Sequence, residues 1–283
     1  MTAHSSIAVL GAGSLGAVIA RAFAEAGHTT TIWNRTPARV DRLVEEVPAL
    51  RPATSVADAV ADADLVVLVV ADAAAANAVL DSAGEALGSS TVVNFTSTTP
   101  EQTSALADRV GPRYLDAAAM SGTRLVGDPT GLFLYAGAAE TFADVEPTLR
   151  ALGIARAVGT DPGAASLWDT ALLGLNLGVL GAFYQAAAMI GGSAQDVAEV
   201  ATQYLPFATG LLPDHARQID ARDYPDDDGS LAVYAAAVDH LIATATARGV
   251  APDLTVAVRN LITRAVDAGH ADDGLASLTE ALR

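Results

Sequence analysis

The sequence predicts an α/β domain built on a parallel sheet, then a long interdomain helix and an all-α C-terminal domain. Two observations carry this. Strand-length apolar runs alternate with helix-length stretches up to about residue 160, and beyond that point only helical patterns remain. Ile7–Leu10, Thr29–Trp33, Leu65–Val70 and Thr91–Phe95 read as strands, with further strands near Arg113–Ala118 and Leu132–Ala136. Leu15–Ala26 and Pro37–Glu46 read as helices between them. Strand, helix, strand in this rhythm gives βαβ units, whose crossovers make neighbouring strands parallel. Asp161-Pro162-Gly163 reads as the start of the long helix, with Asp161 as N-cap and Pro162 as its first residue. Helical patterns continue through Ala194–Leu211, Ser230–Arg248 and Thr255–Ala268, and the acidic stretch Arg222–Asp228 reads as an exposed turn. The expected domains are 1–160 and 161–283.

Composition narrows the class. The chain has 283 residues, 51% hydrophobic and 5% aromatic, enough for each part to bury its own core. A net charge of -17 argues against nucleic acid or an anionic membrane as partner, so any anionic cofactor needs a local positive site. Cysteine is absent, which excludes disulfides, thiolate metal sites and a cysteine nucleophile. That composition suits a cytoplasmic location. The five histidines are widely spaced, so no transition-metal site is expected. Met1–Ser6 is polar and Ile7–Leu10 is too short for a signal core. Thr170–Ile190 is uncharged and long enough to span a bilayer. It contains Asn176, Tyr184 and Gln185, is rich in glycine and alanine and has no basic flank, so a helix buried between domains or at an interface is expected instead. All 16 basic residues are arginine; the chain has no lysine.

Gly11-Ala12-Gly13-Ser14-Leu15-Gly16 follows the first strand at once and opens the first helix. That context turns a weak G-x-G-x-x-G string into a dinucleotide-binding Rossmann signature. Gly11 permits the tight turn, Gly13 lets backbone approach a pyrophosphate and Gly16 lets helix and strand pack closely. Ser14 and Leu15 open the helix whose N-terminus faces the phosphates. The second strand ends in Trp33-Asn34-Arg35-Thr36, with Arg39 one helical turn on and no carboxylate to hold a ribose 2′-hydroxyl. Arg35, Thr36 and Arg39 suit a 2′-phosphate, so the expected cofactor is NADPH.

Asn34-Arg35-Thr36 after the glycine motif resembles the β-hydroxyacid and 6-phosphogluconate dehydrogenase superfamily and its relatives, the imine reductases. The dehydrogenases use a lysine on the long helix, which this chain lacks; Ser121-Gly122 matches their substrate motif only loosely. The imine reductases are matched over nearly the whole chain. Their nicotinamide-side loop resembles Asn94 to Glu101, and the opening of their long helix resembles Asp161 to Ala165 with Trp168 to Leu173. Three C-terminal pieces also match: Gln218 to Tyr224, Asp239-His240 and Gly269 to Gly274. The resemblance implies reduction of cyclic imines or iminium ions by hydride transfer, with reductive amination as an extension. It also implies a homodimer with intertwined C-terminal domains.

Such chemistry needs an apolar cavity beside the nicotinamide and a group that stabilises an iminium cation or donates a proton. Asp169 is the only carboxylate in 163–190. It is read either as that group or as an interfacial carboxylate paired with an arginine. Asn176, two turns on, shares its face. The resemblance puts the family's Tyr or Asp proton donor at Leu177, which cannot donate. Asn94 and Thr96 are expected near the nicotinamide; Met120, Ser121, Trp168, Leu173, Tyr204 and His240 are candidates for the substrate pocket. Two rival readings stand beside this one: a lysine-free carbonyl oxidoreductase, and a non-catalytic NADP(H)-binding regulatory protein.

Overall fold

The structure, a computed structural model, describes residues 5–283; the start of the polar N-terminal stretch lies outside the described residues. The chain runs β1 (Ser6–Leu10), α1 (Ser14–Glu25), β2 (Thr29–Trp33), α2 (Pro37–Glu46), β3 (Arg51–Pro52), α3 (Val56–Val60) and β4 (Leu65–Leu68). It continues through α4 (Ala73–Ala83), β5 (Thr91–Asn94), α5 (Pro100–Val110), β6 (Tyr114–Ala119), β7 (Leu132–Gly137), α6 (Ala139–Leu149) and β8 (Ile154–Gly159). The eight strands form one sheet in the order β3-β2-β1-β4-β5-β6-β7-β8. All neighbours pair parallel except β6 and β7.

Uniformly apolar strands belong in a sheet covered on both faces. Ile7 and Val9 of β1 enter one buried cluster with Ile19 and Phe23 of α1; Ala8 and Leu10 enter another with Val66, Leu68 and Leu80. Successive side chains of a strand point to opposite faces, so one run serves both cores. Two strands were not foreseen. β3 has two residues and β8 is an edge strand left largely exposed, so neither carries a strong apolar signal.

Contacts within the chain separate into two compact units, up to Gly174 and from Leu175 onward. The division falls inside α7 (Ala164–Ile190). The second unit adds α8 (Ala194–Gly210), α9 (Leu212–Ala221), α10 (Leu231–Ala247) and α11 (Asp253–Ala265). Its buried cluster centres on Leu231, Ile262 and Ala265. A bidentate Arg259–Asp239 pair (2.7 and 3.2 Å) links α11 to α10. The expected helix 194–211 forms α8; α9, which was not foreseen, follows from Leu212, and Pro213 in its first turn has no N–H with which to continue α8.

One expectation about α7 is corrected. It starts at Ala164, not at Pro162. Asp161 Oδ1 accepts from the Gly163 N–H (3.0 Å) in a turn ahead of the helix. A Cβ on Gly163 would stand 3.1 Å from Pro100, so this turn is pressed against the start of α5. Within one chain only Ala165 and Ser166 of α7 are buried, and Leu173, Leu177 and Tyr184 are more than half exposed.

The first turn of α7 is tied to the sheet by a buried acid. Asp116, in mid-β6, is 1% exposed and accepts both the N–H (2.7 Å) and the Oγ–H (2.8 Å) of Ser166. Burial pushes its carboxyl up to about 6, against the Ser166 hydrogen bonds that hold it down; the charge of Asp169 adds a smaller upward push. The folded state therefore holds this proton more tightly than the unfolded chain. The resulting stability is full below the ordinary carboxylate range and is lost as pH rises through about 6. Asp116→Asn keeps an oxygen for Ser166 and removes the titration. In urea unfolding, wild type should lose roughly 2 kcal/mol between about pH 4 and pH 7 relative to this variant. Parallel pH profiles for the two proteins would refute the assignment.

Candidate active site

The chain builds the sheet outward from β1 to β3 and then, after a crossover, outward from β4 the other way. A crevice opens at such a switch point, outside the carboxyl ends of the strands. Here it is a cavity of about 980 Å³. Its walls are the turn after β1, the end of β2 at Trp33 to Thr36, Arg39 of α2, Val69 to Asp72 after β4, and Phe95 and Ser97 after β5.

The glycine turn is shaped by backbone contacts. Gly11 has φ +126°, and a Cβ there would sit 1.9 Å from the Val69 carbonyl oxygen. A Cβ on Gly16 would sit 2.0 Å from the Gly11 carbonyl oxygen. Gly13 meets nothing within 4 Å and lines the cavity. As N-cap of α1 it offers no side chain, and no acid stands in the first turn. The first N–H groups of a helix have no carbonyl within it, so this end of α1, at Ser14 and Leu15, presents free donors and partial positive charge to the cavity.

Asn34 lines the cavity, but its amide is committed to backbone. Oδ1 accepts from the Ala12 N–H (3.0 Å) and Nδ2 donates to the Thr36 carbonyl (3.1 Å), tying the glycine turn to the end of β2. Arg35, Thr36 and Arg39 are exposed on the cavity wall. Arg21, Arg109 and Arg259 are each ion-paired, whereas among the described residues neither Arg35 nor Arg39 has a carboxylate within ion-pairing distance. Two unpaired guanidinium groups at one mouth, in a chain of net charge -17, form a local anion site. These residues fit a phosphorylated dinucleotide. Asp72, which the sequence reading did not pick out, also lines this cavity; its carboxylate caps α4 by accepting from the Ala75 N–H (2.8 Å).

A second cavity of about 620 Å³ adjoins the first and shares Leu15, Phe95 and Ser97 with it. The loop Thr96 to Thr99, the end of β6 at Ala117 to Ala119, and Ser166, Asp169 and Thr170 of α7 complete it. Spacings of three and four residues put the last three on one face of the helix. Partial burial raises the pKa of Asp169. Thr96 also holds the floor, its Oγ1 accepting from the Val70 N–H (3.2 Å).

A line of hydroxyl groups runs along this cavity, which Thr98 and Ser166 line while Thr103 lies buried behind. Thr98 Oγ1 and Thr103 Oγ1 are 2.6 Å apart, Thr103 Oγ1 and Ser166 Oγ 3.0 Å, and Ser166 Oγ–H donates to Asp116. Sequence reading included Thr98 in the nicotinamide-side loop and missed Thr103, Asp116 and Ser166. The available signal was a lone acid inside the apolar run Tyr114–Ala119.

Other expected site residues lie elsewhere. Asn94 is fully buried and lines neither cavity; Nδ2 donates to the Tyr114 hydroxyl (2.9 Å) and Oδ1 accepts from the Thr96 N–H (3.0 Å). It props the loop from behind. Ser121 Oγ accepts from the Leu132 N–H (2.8 Å), and neither Ser121 nor Met120 lines the cavity. Trp168 and Leu173 are exposed on α7. Asn176, Leu177, Tyr204 and His240 belong to the second unit and are exposed in the single chain.

Known proteins share this arrangement. Residues 6–159 match the NAD binding domain of 6-phosphogluconate dehydrogenase, and residues 161–283 match the NADPH-dependent reductive aminase-like C-terminal domain. An NADPH-dependent reductive aminase of Aspergillus oryzae is 34% identical over 97% of this chain and 96% of its own length. The reductive aminase of Aspergillus terreus, solved with NADPH and ethyl-5-oxohexanoate, superposes with a TM-score of 0.89 at 32% identity over 99% of both chains. The imine reductase of Myxococcus stipitatus, solved with NADP+, gives 0.87 at 30% identity over 98% of this chain and 100% of that one. The chain therefore belongs to the family of NADPH-dependent reductive aminases and imine reductases.

Proposed function

We propose that this protein reduces C=N bonds with NADPH, taking small cyclic imines or iminium ions and, by extension, ketone and amine pairs. One observation carries the reading: an arginine-flanked glycine cleft opens into a second cavity that holds a half-buried carboxylate. The glycine turn and the N-terminus of α1 receive the pyrophosphate, and Arg35, Thr36 and Arg39 take the 2′-phosphate. The bound nicotinamide supplies the hydride. Leu15 and Phe95 separate the two cavities with apolar surface, which limits water beside the reacting carbon. Asp169 faces the second cavity. As an anion it stabilises a developing iminium; its raised pKa also brings it nearer to donating a proton.

We further infer a homodimer. The second unit buries a small core and leaves Tyr204, Phe207 and Val233, with Leu177 and Tyr184 of α7, more than half exposed. Apolar area of that extent is stable in water when another surface covers it. A second copy of this chain accounts for it, and sedimentation equilibrium at the mass of one chain would refute the inference.

The purified protein mixed with 2-methyl-1-pyrroline should consume NADPH, with NADH at least about tenfold poorer. Arg35→Ala should raise KM for NADPH about tenfold and leave NADH unchanged, as expected for one lost charge-assisted hydrogen bond. No imine-dependent loss of NADPH, in protein shown to bind it, would overturn the proposal. Asp169→Asn should lower kcat by roughly a hundredfold while KM for NADPH stays within about twofold. An unchanged kcat would remove Asp169 from the chemistry.

A further inference from the structure

We propose that Asp116 and the hydroxyls of Ser166, Thr103 and Thr98 form a proton relay that ends in the cavity beside Asp169 and serves the imine nitrogen. The inference rests on the imine-reduction reading and adds to it a proton source other than Asp169, in a chain with leucine at position 177.

The line is continuous: Thr98 to Thr103 is 2.6 Å, Thr103 to Ser166 is 3.0 Å and Ser166 to Asp116 is 2.8 Å. One end is a buried acid, and at the other Thr98 lines the cavity. The middle member is unusual for a helical threonine. Thr170, Thr202 and Thr244 return their hydroxyl protons to the carbonyl four residues back, the common resting place on a helix. Thr103 of α5 is fully buried and bonds two other side-chain hydroxyls instead.

Donor order follows from the acid. An ionised Asp116 only accepts, so Ser166 donates to it, Thr103 donates to Ser166 and Thr98 donates to Thr103. Every proton in the line then points at Asp116. A protonated Asp116 reverses the order. Its proton passes to Ser166 Oγ, the Ser166 proton to Thr103, the Thr103 proton to Thr98 and the Thr98 proton to the imine nitrogen. Each hydroxyl gains one proton and loses one. The imine carbon takes the hydride, its nitrogen takes the proton, and Asp116 is left as carboxylate until solvent recharges it. Between turnovers Thr98 has a resting acceptor in the Thr96 carbonyl, 3.3 Å away.

The groups facing Asp116 keep it able to hold a proton. Asp169 on α7 is the charged group that bears on it, and its sign favours the protonated form. Tyr114, on the same strand, is itself pushed upward and stays neutral. Thr103 from α5, Asn94 across β5 and Ala136 across β7 carry no charge. Burial raises the carboxyl to about 6, within reach of neutral pH.

The test compares two substrates of one shape. 2-Methyl-1-pyrroline needs a proton on nitrogen; its N-methyl iminium salt needs none. Thr103→Val cuts the line without touching Asp116, and Thr103→Ser restores the hydroxyl. Thr103→Val and Asp116→Asn should each lose about tenfold or more in kcat on the imine at pH 7, where part of Asp116 still holds its proton. Both should stay within about twofold of wild type on the salt, and Thr103→Ser should recover the imine rate. Equal losses on both substrates, or no loss on either, would overturn the relay. Failure of wild type on both would sink the imine reading instead. The relay would then be judged by carbon NMR of the Asp116 carboxyl in the full chain: a midpoint near 6 sustains a buried proton store, and one near 4 overturns it.

Discussion

Backbone pressed against backbone at the end of β1 underlies the site. The Gly11 carbonyl lies where a Cβ of Gly16 would be, and the Val69 carbonyl lies where a Cβ of Gly11 would be. Three segments, the turn, the first helical turn and the exit of β4, therefore meet without side chains between them. This proximity aims the N-terminus of α1 into the crevice and shortens β4 to Leu68, because Val69 and Val70 turn outward to line the cavity. Any side chain at Gly11 or Gly16 would separate those segments, and the donor groups at Ser14 and Leu15 would lose their aim.

Electrostatics then divides the site in two. At one end two guanidinium groups have no ion-pair partner among the described residues of a strongly acidic protein. At the other end two carboxyl groups, Asp116 behind the wall and Asp169 on it, are both raised by burial. Positive potential for a phosphate and poised acids for a developing cation are opposite demands, and the shared apolar residues Leu15 and Phe95 lie between them. Asn34 and Asn94 serve this layout indirectly, one fastening the glycine turn to β2 and the other bracing the loop that carries Thr96 and Thr98.

The second unit poses a packing problem that one chain leaves open. Past Asp169 the stretch Thr170–Ile190 of α7 has no charge to turn toward water, and its Leu175 and Leu177 are exposed, as are Tyr204 and Phe207 of the same unit. The length and composition of α7 would suit a membrane as well as an interface.

Much was legible before any coordinates. Strand-length runs of valine, isoleucine and leucine marked the sheet, because a parallel sheet buries both faces and tolerates no polar alternation. The glycine spacing and Arg35 marked the cofactor cleft, because both are local: a turn and its neighbouring strand end are defined by residues close in sequence. The edge strand β8, the short β3 and the helix α9 were not legible, since little apolar burial accompanies them. The relay was invisible for a different reason. Thr98, Thr103, Asp116 and Ser166 come from a loop, a helix, a strand and another helix, and hydrogen bonding between them depends on how α5 and α7 settle on the sheet. By itself the sequence determined the fold class, the place of the glycine cleft and the chemistry available at its mouth. Only tertiary structure decided which hydroxyls meet, which acid is buried and which apolar residues remain uncovered, because those depend on distances between segments far apart along the chain.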